Sequence, residues 1–139
     1  MRILIVVENY HPYVGGVEVL FKKIAEGLAL KGNKVRVVTS NHPNAPKQEE
    51  KNNVVITRIP IPNFGRRYWF TFISFFHLLF YIKGVDVVHT TTYNAALPAC
   101  LVAKIFRKKI LITIHEVWGK MWMKIPEQLI NTEFQVFQQ

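Results

Sequence analysis

The sequence predicts an α/β fold, a doubly wound parallel sheet, on three observations. Apolar runs of strand length alternate with segments of helical periodicity along most of the chain. The opening run, RILIVV (2–7), is apolar without alternation, as a strand covered on both faces by helices must be. The 139 residues, half of them hydrophobic, suffice for one sizeable core and are too apolar for a disordered tail.

Each element follows in turn. After the strand at 2–7, apolar Val17, Leu20, Phe21, Ile24 and Leu28 recur at helical spacing, with Glu18, Lys22 and Glu26 opposite. Gly32 then stands where a helix C-cap belongs. KVRVVTS (34–40) reads as a second strand, and NHPNAPKQEEKNN (41–53), rich in turn formers and charge, as a loop. VVITRIPI (54–61), GVDVVHT (84–90) and KILITIH (109–115) supply further strands. NAALPACLVAKIF (94–106) is a helix, with Pro98 early in it, where a missing N–H costs least. Neither an internal repeat nor a low-complexity segment interrupts this order.

The formal charge of +9 points to an anionic partner: a membrane surface, a phosphorylated ligand or nucleic acid. Basic clusters such as FRKKI (106–110) and Lys22-Lys23 carry no nucleic-acid-binding motif, so nucleic acid is not expected. The single cysteine, Cys100, excludes an internal disulfide and a cysteine-built zinc site, and its apolar surroundings make it a small core residue. The N-terminal apolar run is too short for a signal peptide, from which a cytoplasmic location is expected.

Open parallel sheets bind ligands at the carboxyl ends of their strands. That rule selects ENYHPYVGG (8–16), HTTTY (89–93) and HEVWG (115–119), which should meet at one rim. Gly15-Gly16 stands immediately before a helix, whose exposed N–H groups and partial positive charge favour an anion. Without Cβ atoms the backbone could touch a phosphate directly; alternatively, the pair serves a tight turn that needs positive φ. No Gly-Lys-Ser/Thr follows, so this is not a nucleotide-triphosphate loop, and G-x-G-x-x-G is absent. Glu18 suits the dipole of the first helical turn, a simpler role than catalysis. His115 is either a satisfied strand-end histidine or a ligand contact. HEVWG is no zinc-binding H-E-x-x-H, since Gly119 replaces the second histidine, and no metal or cofactor is implied.

YHPYVGGVE after the MRILIVV strand resembles the N-terminal signature of family 4 glycosyltransferases, retaining enzymes of GT-B architecture. VDVVHTTTYNAALPA and ILITIHEVWG resemble the same family's later strand segments, in matching order and spacing. The resemblance implies a Rossmann-like N-terminal half of a GT-B fold. It also implies that Gly15 and Gly16 lie against the phosphates of a nucleotide-sugar donor, or near a phosphorylated acceptor. His115 would reach the donor sugar near the reaction centre. His89 matches the first histidine of an H-x-H pattern bordering the acceptor pocket, with Thr91 in place of the second. Tyr10, His11 and Glu18 are further acceptor-side candidates on the glycine loop and helix start. His42 and His77 are assigned no function. GT-B enzymes work between two such domains, and nothing resembling the second, donor-binding one follows Gln139. The single domain (1–139) is also expected to be incomplete, since it ends in a helical stretch where further strands belong. A fragment, a truncated product or half of a split enzyme is therefore expected, inactive without the C-terminal domain.

The stretch NFGRRYWFTFISFFHLLFYIKG (63–84) is crowded with aromatics and free of acids. Its uncharged run, Tyr68 to Ile82, is shorter than the roughly 20 residues of a membrane-spanning helix. Three readings stand: a buried crossover helix, a helix lying in the membrane interface with Arg66, Arg67 and Trp69 against the headgroups, or an interface with another domain or subunit. Three functions follow. One is the acceptor-side domain of a nucleotide-sugar-dependent transferase with a lipid-linked or saccharide acceptor, cytoplasmic or peripheral on the inner membrane face. Another is a membrane-surface or partner-binding module of the same fold without activity. The third is an unrelated nucleotide-binding protein such as a dehydrogenase fragment, disfavoured because VVTSNH brings no acidic residue to the end of the second strand.

Overall fold

The computed structural model describes residues 1–115; the part of HEVWG after His115 and the C-terminal helical stretch lie outside them. Ten elements follow one another: β1 (Arg2–Val6), α1 (Gly16–Leu30), β2 (Lys34–Ser40), β3 (Gln48–Lys51), β4 (Val54–Ile59), α2 (Arg66–Tyr81), β5 (Val87–Thr91), a 3-10 turn (Tyr93–Ala95), α3 (Ala96–Ile105) and β6 (Lys109–Thr113). The sheet runs in the order β3-β4-β2-β1-β5-β6, and every pairing is parallel except β3 with β4.

The alternating side chains of β1 explain its unbroken apolarity. Ile3, Ile5 and Val7 pack beneath α1 with Val35, Val37 and Ile56. Leu4 and Val6 point the other way, into a second cluster with Val38, Val88 and the inner residues of α2 and α3. α1 turns Phe21, Ala25 and Ala29, four residues apart, onto the sheet. It ends in a Schellman cap: Gly32 N–H donates to Ala29 O at 2.9 Å and Asn33 N–H to Leu28 O at 3.2 Å. Gly32 takes φ of +85°, which accounts for glycine there.

The expected loop at 41–53 contains a strand. β3 folds back antiparallel on β4 through Asn52 and Asn53, both in the left-handed region at φ of 52° and 61°. Asparagine tolerates that region, so Asn-Asn forms the tight turn that Asn-Gly usually marks. The strand is charged, QEEK, because it is an edge, and its charges discourage pairing with another chain. The segment 63–84 is the crossover helix α2, with Phe70, Ser74 and Leu78 buried. Cys100 is half-buried, and burial raises its thiol pKa.

β1 leads through α1 to one side of the sheet, while β4 crosses through α2 to β5 on the other. The strand order therefore reverses between β1 and β5, the switch point where such sheets open a crevice at their carboxyl ends.

Candidate functional site

Hydrogen bonds knit the carboxyl rim together. The Glu8 carbonyl, just past β1, accepts from Thr39 Oγ1 and from the Ser40 N–H, both at 3.1 Å. Its carboxylate Oε2 accepts from Asn94 Nδ2 at 2.8 Å, tying the loop after β1 to the loop after β5. Thr71 Oγ1 on α2 donates to Asn94 O at 3.1 Å, so α2 joins the same rim.

Arg58, on β4, holds the glycine loop. Its Nη2 donates to His11 O and to Glu49 Oε1, each at 2.7 Å, and Nη1 to Pro46 O at 2.9 Å. The guanidinium is buried, so three oxygen acceptors, one of them charged, satisfy it. The loop that carries Tyr10 to Gly15 is thereby moored to the β3–β4 edge. A lone arginine in the apolar run VVITRIPI was the available sequence signal, since a charge facing a core needs partners. Glu8 gave no such signal, because its partners come from segments far away in sequence.

The glycine pair behaves differently from a turn. Gly15 is extended, at φ −165° and ψ 169°, and neither Gly15 nor Gly16 takes positive φ. The tight-turn explanation is therefore withdrawn: any residue adopts this backbone. A Cβ on Gly15 would collide with the Glu18 carboxylate, which folds back over the helix start. A Cβ on Gly16 would meet nothing within 4 Å. Gly16 is exposed, and the first turn of α1 opens to the outside.

Five residues further along α1, about 7.5 Å at helical rise, Phe21 brings two histidines together. Its ring lies 5.1 Å from that of His89 and 5.7 Å, edge-on, from that of His115. Gly16 and His115 thus share one end of the sheet. Beside them a cleft of about 320 Å³ runs between α1 and β6, lined by Leu20, Ile24, His89, Leu111, Thr113 and His115 among others.

His89 is 5% exposed, and its Nε2 shares a 2.8 Å hydrogen bond with Thr113 Oγ1, its neighbour across β5–β6. Burial, and secondarily the nearby His115, lowers its pKa to about 4, so at pH 7 it is neutral. Two polar atoms here are buried without a partner among the described residues: His115 Nε2 and Thr91 Oγ1. Orphaned buried groups are rare in folded proteins and mark sites awaiting a ligand, water or further chain.

The other expected site residues separate. Tyr10 is 3% exposed and packs in the α1 core, where burial, with Glu26 adding, raises its phenol pKa; its side chain is a packing element, not a wall of the cleft. His11 is partly exposed, its pKa lowered by desolvation and then by Lys22. Arg66 is tied to the rim by bonds to Ser40 Oγ, Asn41 O and Asn63 Oδ1 at 3.2, 3.0 and 3.2 Å. Arg67 and Trp69 lie on the exposed side of α2. Among the described residues no group of three His, Cys, Asp or Glu could hold a metal ion, and no helix is long and apolar enough to cross a membrane.

Three comparisons bear on this geometry. The chain is 40% identical over 70 residues to an uncharacterized 42.6 kDa protein in the cps region of Klebsiella pneumoniae, which covers 50% of this chain and 18% of that protein. Its fold is similar to the catalytic domain of starch synthase IV from Arabidopsis thaliana, with a TM-score of 0.67 at 15% identity over 83% of this chain and 34% of that one. It is also similar to sucrose-phosphate synthase from Thermosynechococcus elongatus, with a TM-score of 0.64 at 16% identity over 96% of this chain and 37% of that one. The chain thus spans well under two thirds of each of these relatives. The Rossmann-like half of a GT-B fold is what it shares with the two synthases. The model of Glycosyltransferase Family 4 matches residues 14–134, most of the chain, and the chain belongs to that family.

Proposed function

We propose that this chain is the acceptor-side domain of a glycosyltransferase that moves a sugar from a nucleotide-sugar donor to a membrane-linked or saccharide acceptor. In this reading transfer needs a second, donor-binding domain, and the chain works in the cytoplasm, at the inner face of the membrane. The observation that carries it is the glycine pair. Among the described residues nothing meets a Cβ at Gly16 and no positive φ requires glycine there, and this exposed residue stands at the rim that holds His115 Nε2, which has no partner among those residues.

The chemistry suits those groups. Cleaving a sugar–phosphate bond puts negative charge on the departing diphosphate and positive charge on the sugar ring. Backbone N–H groups at Gly16 and Val17 would stabilise the diphosphate most as that charge develops. The Glu18 carboxylate now over Gly15 would have to swing aside or hydrogen-bond a sugar hydroxyl. His115 Nε2 would bond the donor sugar near the reacting carbon, and neutral His89 would stand behind it, held by Thr113 and Phe21. His11, at the loop surface, is the acceptor-side group left facing outward.

The test is transfer from a panel of radiolabelled UDP-, GDP- and ADP-sugars to membrane extract, with the chain supplied alone and together with a family 4 C-terminal domain. Transfer is expected in the combined sample only, and its loss with Gly16→Val or His115→Ala. Turnover by the chain alone, or transfer indifferent to both substitutions, would sink the reading. A module without activity is the second reading, carried by the exposed outer face of α2.

A further inference from the structure

We propose that the outer faces of α2 and α3, together with a cationic recess beside Phe80, dock the chain on an anionic lipid bilayer. Past Arg67, α2 carries no Lys, Arg, Asp or Glu on any side. Phe70, Ser74 and Leu78 face the core, while Tyr68, Phe72, Phe76 and Phe80, also four residues apart, face out at 84, 61, 49 and 77% exposure. A helix on the surface of a soluble domain carries polar residues on that side. α3 packs beside α2 and extends the patch through Leu97, Leu101 and Ile105 at 57, 45 and 60% exposure. Exposed apolar stripes on two helices that pack together mark a binding face.

Charge selects the occupant. From Lys51 to His115 the sequence has one acidic residue, Asp86. Arg67 and Lys83 flank the aromatic stripe of α2, and Lys104 and Arg107 stand at the end of α3. Two copies meeting through this face would bring these cations against each other, whereas lipid phosphates would neutralise them.

The recess adds a built feature. A cavity of about 570 Å³ opens over the amino ends of β1, β2 and β4, with Arg2, Lys34, Arg36 and Lys83 in its wall against a single acid, Glu50. Arg36 is held in place: Nη1 donates to Thr57 Oγ1 at 3.1 Å, and its guanidinium lies 4.9 Å above the Tyr81 ring. Phe80 belongs both to the recess wall and to the exposed stripe, so the recess opens beside the aromatic surface. With Phe80 in the acyl boundary, a headgroup phosphate would enter among the cations. The α2 axis, about 24 Å long at helical rise, would lie along the bilayer, as interfacial helices do. Both helices start at the carboxyl rim, so docking would set the α2–α3 side of that rim at the surface where a lipid-linked acceptor lies. Only that consequence rests on the transferase reading.

The experiment is co-sedimentation of the full chain with vesicles of phosphatidylcholine alone or mixed with phosphatidylglycerol. Binding is expected to be about ten-fold or more stronger with phosphatidylglycerol and to weaken with salt. Phe72→Ser/Phe76→Ser and Lys34→Glu/Lys83→Glu, each at exposed positions, should each weaken it about ten-fold or more, with unchanged circular dichroism. Equal binding to both vesicle types, or a folded Phe72→Ser/Phe76→Ser chain that sediments like wild type, would overturn the proposal. So would a concentration-dependent dimer, abolished by the same pair, in a chain that ignores vesicles. Calorimetry with a nucleotide-sugar in lipid-free buffer, the donor-binding domain present, separates this outcome from failure of the transferase reading.

Discussion

Gly16→Ala separates the two explanations of a glycine, one by fold and one by ligand. The new methyl would meet nothing within 4 Å, and the residue sits at the first helical position without positive φ. Alanine should then stabilise the chain by about 0.4–1 kcal/mol, by restricting the unfolded state and favouring helix. For a domain of this size that is a rise in Tm of about 2–4 °C. Under the proposed donor contact, the same methyl would stand where a phosphate oxygen would approach the N–H groups of the first turn. Lengthening or losing one hydrogen bond to a charged group removes about 1.5–3 kcal/mol, a weakening of ten-fold to more than a hundred-fold. Differential scanning calorimetry reads the first effect, and isothermal titration with nucleoside diphosphate-sugars, the donor-binding domain present, reads the second. A lower Tm, or unchanged affinity in a chain that binds wild-type ligand, would refute the claim that ligand approach fixes this residue.

Other expectations follow from the same structure. Gly32→Ala, at φ +85° in the Schellman cap, should destabilise by about 1–2 kcal/mol in urea titration, opposite in sign to Gly16→Ala. Arg58→Met removes the donor to His11 O, Pro46 O and Glu49, and should cost about 3–5 kcal/mol; a loss below 1 kcal/mol would deny the mooring of the loop. His89 has a folded pKa of about 4 against about 6.5 unfolded, so its neutral form favours the fold. That contribution, about 3 kcal/mol, is complete above pH 6.5 and is lost as pH falls toward 4. His89→Gln should flatten the fall in urea midpoint across that window, and an identical slope in the variant would place the titration elsewhere.

Much of the architecture was legible because buried parallel strands and amphipathic helices have local periodicities. ILIVV (3–7) is apolar at every position because both faces are covered, and α1 repeats Phe21, Ala25 and Ala29 along one stripe. β3 was not legible, since QEEK is polar and its Asn-Asn turn resembles any loop. For the site, the motifs named segments that the fold does bring to one rim, while the surroundings of single residues depended on where their side chains pointed. Tyr10 and Arg66 sit in segments that form the rim, but one packs into the core and the other hydrogen-bonds to the protein.

By itself, then, the order of residues determined the alternation of strands and helices, the family and which segments follow the carboxyl ends of the strands, because those depend on spacing along the chain. Only the tertiary structure decided that nothing among the described residues meets a Cβ at Gly16, that Arg58 moors the loop, and that α2 and α3, packed against each other, both leave apolar side chains exposed. Contact and exposure are properties of segments brought together across the fold, and no periodicity along one segment records them.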